Sequence, residues 1–129
     1  MPLQLGMEYT VEELVTEGRT ARAMGSGGDL VAATPFVVLM MEAAAYRCVS
    51  DELEEGMSTV GTLVNIRHLK ATPLDCHLKA NAKLVEIDRK RLVFEVEVYD
   101  DVEKVADGMH ERFIVDNEKF MEKANAKRP

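Results

Sequence analysis

Between Ala33 and Tyr46 the chain is apolar at nearly every position, ATPFVVLMMEAAAY, a pattern that suits neither a half-buried strand nor a two-faced helix. Thr34 is a good N-cap residue, and Pro35 fits the first helical position, where its missing N–H costs nothing. The pattern predicts a helix from there to about Leu53, stopped at Gly56 and buried on every side. Further along, the period shortens to two. STVGTLVNIRHLKATP is a β-rich run closed by Pro73, and HLKANAKLVEI alternates Leu78, Ala80, Ala82 and Leu84 with polar neighbours. RLVFEVEVYD sets Leu92, Phe94, Val96 and Val98 against Glu95 and Glu97, and KVADGMHERFIVD reads as a further strand. EIDRKRL has hairpin length, and the tail NEKFMEKANAKRP is a short, charged, weakly amphipathic helix. Upstream, EYTVEELVTEGRTARAMGSGGDL predicts a strand followed by a mobile loop at Gly25 to Gly28. One apolar helix followed by a meander of strands makes an α+β arrangement, an antiparallel sheet wrapped around one long central helix.

Composition narrows this picture. A chain of 129 residues suits a single domain over 1–129 with a proper core, and 47% hydrophobic with 30% charged residues is an ordinary globular balance. No apolar run approaches the roughly 20 residues of a membrane span, and MPLQLGMEYTVEELV lacks the pattern of a secretory signal, so a cytoplasmic location is expected. A net charge of −7 argues against sequence-independent nucleic-acid binding. Cys48 and Cys76 form neither a disulfide framework nor a CxxC pair, and His68, His77 and His110 lack metal-ligand spacing, so reduced thiols and no metal are expected.

Three residues change the picture more. Glu42 shares a helix face with Val38, Leu39, Tyr46 and Val49, all expected in the core, and a charge among them needs a partner or a role in acid/base work. In VGTLVNIRH, strict alternation puts Val60, Thr62, Val64, Ile66 and His68 on one face and Gly61, Leu63, Asn65 and Arg67 on the other. That places His68 on the face expected to pack on the helix. Thr34 stands at the helix N-terminus, where free N–H groups and the positive dipole end can hold an oxyanion. Singly, each has an ordinary explanation: a paired structural acid, a satisfied core histidine, a plain cap.

Together they carry a resemblance. TPxxxxxxE at Thr34 to Glu42, VGTxVNIRHLxATP at Val60 to Pro73, and the later RLVFEVEVYD and HERFIVD resemble the hot-dog-fold thioesterases related to fluoroacetyl-CoA thioesterase. The resemblance covers most of the chain. It implies an acyl-CoA thioesterase of hot-dog fold, with Thr34, Glu42 and His68 as catalytic residues and CoA entering as part of the substrate. It also implies that Gly61 borders the acyl pocket, that Arg112 lies near it, and that the chain works at least as a homodimer with the site at or near the interface. Two features differ from the family pattern. Asp75 stands where the family has glycine, and GSGGDLVAA, Gly25 to Ala33, lacks the aromatic gate of fluoroacetyl-specific members. The missing gate implies several short or medium acyl substrates, with Phe36 the remaining candidate for a substrate-contacting aromatic. The alternative is an acyl-CoA-binding module without turnover; a hot-dog dehydratase would need a DxNPxH-like segment that the sequence lacks.

Overall fold

The computed structural model describes residues 2–129. Strand β1 (Glu8–Leu14) leads through a single 3-10 turn and a short helix α1 (Ala21–Met24) to the central helix α2 (Thr34–Ser50). Four strands follow, β2 (Met57–His68), β3 (His77–Asp88), β4 (Arg91–Tyr99) and β5 (Lys104–Asp116), and then the terminal helix α3 (Asn117–Asn125). The sheet is antiparallel in the order β1-β3-β4-β5-β2, so β1 and β2 are its edges.

Helix α2 lies against this sheet. Val37, Met40, Met41, Ala44, Ala45, Cys48 and Val49 recur at three- and four-residue intervals and are buried, which places them on one face. They meet the inward side chains of the sheet, among them Leu78, Ala80, Ala82 and Leu84 of β3 and Phe94, Val96 and Val98 of β4. The alanines leave room for the helix, and the larger side chains each gain about 1.5–3 kcal/mol from burial.

The model corrects four expectations, each for a local reason. Thr34 is not the N-cap: Ala33 is, no side chain caps the helix, and Thr34 is its first residue. The helix ends at Ser50 rather than near Leu53, and Gly56, with φ of 84°, serves the turn into β2. It is not buried all round, because Leu39 (55% exposed) and Tyr46 (43% exposed) form an open apolar stripe with Ala43, and Glu42 lies half-buried along it. Strict alternation in β2 also fails, since the register against β5 shifts between Gly61 and Leu63. A bulge reverses which residues face inward. Gly61 and His68 thereby end on the same, helix-facing side of β2.

Candidate active site

The predicted residues gather into two groups. At the start of α2, Thr34 Oγ1 and His68 Nδ1 share a hydrogen bond of 2.7 Å. The hydroxyl expected to cap the helix therefore serves the end of β2 instead. A depression of about 260 Å³ opens beside the pair, lined by Ala21, Ser26, Ala32, Leu69 and Lys70 as well. His68 Nε2 is buried and, among the described residues, has no direct hydrogen-bond partner. Buried polar atoms are normally paired, and this one borders the depression, so a group that enters there can pair with it. Burial holds the His68 pKa below its ordinary value, against a weaker opposing pull from the Lys70 backbone.

The second group lies further along both elements. Eight residues of helix, about 12 Å of rise, separate Glu42 from Thr34. Among the described residues no hydrogen bond or ion pair joins the carboxylate to the Thr34–His68 pair. Instead Glu42 Oε2 stands 3.7 Å from Arg112 Nη1, and a Cβ built on Gly61 would lie 2.8 Å from that same carboxylate oxygen. A side chain at Gly61 would have to push the flexible end of Glu42 aside to fit. Arg112 is buried, donating from Nε to Thr59 Oγ1 at 2.8 Å and from Nη2 to the Thr59 carbonyl at 3.0 Å, with Tyr46 under its guanidinium at 5.7 Å. Burial pulls the Arg112 pKa down, while the Glu42 carboxylate pulls it up.

One member of this group was missed in the sequence. His110 is 1% exposed, with Nδ1 2.8 Å from the Leu63 carbonyl and Nε2 3.1 Å from Arg112 Nη1. Its signal was the spacing HxR in HERFIVD, which puts His110 and Arg112 on one face of β5. Phe36 joins neither group. It lines a separate groove with Val11, Arg19, Leu39 and Ala43, with the Arg19 guanidinium 4.9 Å over its ring. Among the described residues no cluster of three or more His, Cys, Asp or Glu side chains could hold a metal ion.

A sheet packed on one long helix, with acid, histidine and threonine presented by that helix and an edge strand, defines a hot-dog thioesterase. A solved hot-dog-like protein from Thermanaerovibrio acidaminovorans superposes with a TM-score of 0.89, covering 98% of this chain and 94% of its own at 17% identity, which supports the fold. The model of the fluoroacetyl-CoA-specific thioesterase family, FlK, matches residues 15–118. The chain belongs to that family, and it is a thioester hydrolase acting on acyl-CoA. The fluoroacetyl-CoA thioesterase of Streptantibioticus cattleyicolor is 35% identical to it, over 98% of this chain and 96% of the relative. A solved structure of the fluoroacetyl-CoA thioesterase FlK superposes with a TM-score of 0.94 at 30% identity, covering all of both chains.

Proposed function

We propose that the chain is a single-domain, cytoplasmic enzyme that hydrolyses short acyl-CoA esters as a homodimer, with each site assembled from two copies. Glu42 is the acting carboxylate, His68 the proton-transfer group and Thr34 the residue that orients it. The observation that carries this is the separation of the two groups on one chain. Glu42 lies between Leu39 and Tyr46 on the open stripe of α2, and the 12-residue edge strand β2 leaves Leu63 and Val64 exposed. Apolar stripes and long free edges are surfaces that a partner covers. A second copy packed there brings its own Thr34–His68 pair toward this Glu42.

The chemistry then divides simply. Glu42 either adds to the thioester carbonyl carbon, giving a mixed anhydride that water then cleaves to the acid and free Glu42, or removes a proton from the attacking water; in both routes the C–S bond breaks, and the thiolate leaves with a proton delivered through His68. No cofactor is needed beyond the CoA carried by the substrate. The side-chain-poor Gly25 to Gly28 segment leaves the entrance wide, so several acyl groups are accepted. Preference for fluoroacetyl-CoA over acetyl-CoA is below about a hundredfold, or about 2.7 kcal/mol in transition-state energy. Paired kcat/KM values decide that point, and a much larger ratio would overturn it.

Co-expression tests the shared site. A Glu42→Ala chain and a His68→Ala chain, carrying different tags and purified as the mixed dimer, should recover up to about half the wild-type activity, because one of the two sites then holds Glu42 from one copy and His68 from the other. If each site lies within one chain, the mixed dimer stays inactive.

A further inference from the structure

We infer that His110 is a positioning residue of this thioesterase: as a neutral imidazole protonated at Nδ1, it clamps Arg112 beside Glu42 and ties both to the bulge of β2. The inference rests on the reading of Glu42 as the acting carboxylate and adds a residue to which neither the sequence pattern nor the family resemblance gave a role.

The tautomer follows from the partners. A guanidinium only donates, so the Arg112 Nη1 contact at 3.1 Å makes His110 Nε2 an acceptor. The remaining ring nitrogen must then carry the proton, and it finds the Leu63 carbonyl at 2.8 Å. A doubly protonated ring would present an N–H to the guanidinium at that distance. Burial and the Arg112 charge both disfavour that form, outweighing the Leu63 carbonyl and nearby carboxylates.

The consequence is geometric. Arg112 Nη1 is held by His110 at 3.1 Å, and Glu42 Oε2 stands 3.7 Å from that same nitrogen, within ion-pair range. Thr59 holds the other two nitrogens, at its hydroxyl and its carbonyl. Leu63 adjoins the β2 irregularity that turns Gly61 toward the helix, and a Cβ on Gly61 would meet Glu42, His110 and Arg112 together, at 2.8, 3.3 and 3.4 Å. Glu42, the Gly61 backbone and the guanidinium are thus held by one ring that is itself too buried to touch substrate. A group that acts only by holding others raises kcat through their alignment.

Two isosteric cuts separate the halves of the clamp. His110→Asn can keep a donor near the Nδ1 position for Leu63 but loses the acceptor for Arg112, whereas His110→Gln can place an acceptor near the Nε2 position and loses the bond to Leu63. We expect Asn to lower kcat about tenfold or more with KM changed less than threefold, and Gln to restore at least half of the loss. Glu42→Ala is measured alongside. If Glu42→Ala is inactive while both His110 variants turn over normally, the clamp is refuted and the site reading stands. If Glu42→Ala is itself near normal, the site reading falls and the clamp with it. Should the variants fail to fold, long-range 1H–15N correlation of the native protein still reads the tautomer. Protonation at Nδ1 alone supports the clamp, and a proton on Nε2 overturns it.

Discussion

The two halves of the site are built to opposite standards. Around Arg112, each guanidinium nitrogen and both ring nitrogens of His110 have a partner within the chain, and the group is dry. Around His68, one hydrogen bond to Thr34 is made, a depression opens, and the buried Nε2 makes no direct hydrogen bond among the described residues. A satisfied buried network is rigid, while an unsatisfied buried atom costs about 1–3 kcal/mol until something meets it. On the proposed reading, the difference separates a frame, complete in the free chain, from a reactive end that substrate or a second copy completes.

The sharpest way to break that comparison is to remove the reacting groups. Glu42→Ala and His68→Ala should each lower kcat by about a hundredfold or more, with circular dichroism and size exclusion unchanged. Near-normal turnover in either would sink its assignment. Thr34 refines the point, because its hydroxyl bonds His68 rather than capping α2. Thr34→Ala should therefore lower kcat without the loss of about 1 kcal/mol that a missing cap brings, and Thr34→Ser should be milder. Chemical denaturation beside initial rates measures both.

Two glycines contrast the halves at the next level. A Cβ at Gly61 enters the frame at 2.8 Å from a carboxylate, whereas one at Gly28 meets nothing within 4 Å. Gly61→Ala should lower kcat roughly tenfold by displacing the Glu42 carboxylate, while stability changes by less than about 1 kcal/mol, because the atom met first is the free end of a flexible side chain. Gly28→Ala should leave both almost unchanged. Equal effects at the two positions would remove the distinction between frame and entrance.

Much of this was legible in the sequence, and the failures share a cause. Period-two runs located β3 and β4 nearly to the residue, because each packs one face on the helix and shows the other to water, and KVADGMHERFIVD marked β5 as a further strand. Strand β2 misled because a bulge leaves no mark in composition: Thr62 looks like any alternating residue, yet the register slips beside it. The stripe of Leu39, Ala43 and Tyr46 misled because apolar residues read as core whether their cover comes from the same chain or another. His110 escaped notice for a related reason. A histidine declares its role through its ring partners, and here those are a carbonyl 47 residues away and an arginine whose own job was visible only once Glu42 had been placed.

Acidification distinguishes the halves more gently. Burial holds both His68 and His110 below the ordinary histidine pKa of about 6.5. The unfolded chain therefore binds protons first as pH falls, so the stability contributed by the neutral rings is full above about 6.5 and is lost between that value and the lower folded ones. Thermal melts should fall in that window, ahead of any carboxylate transition. Asp107 and Glu111, held low by hydrogen bonds from Lys104 and Arg91, keep their contribution down to the usual carboxylate range and lose it as pH falls from there to their lower folded values. His110→Gln and His68→Gln should each flatten part of the slope. A melting temperature constant from pH 7 to 5 would contradict both burial arguments.

The smallest expected effect lies outside both halves, at the turn before β3. Asp75 has φ of 69°, in the left-handed region where the family pattern places glycine, and its amide donates to the Val15 carbonyl at 3.0 Å. The substitution has thus kept the turn rather than changed it, since aspartate is among the side chains that visit this region. Holding it there costs about 1 kcal/mol, whereas glycine would add roughly 0.5–1 kcal/mol of unfolded-state entropy to be lost on folding. The two nearly cancel. Asp75→Gly should shift stability by less than about 0.5 kcal/mol, or about 2 °C in Tm for a chain of this size, with kcat and KM unchanged. A large loss of activity would mean that this turn, and not only the frame around Arg112, sets the position of the reacting groups.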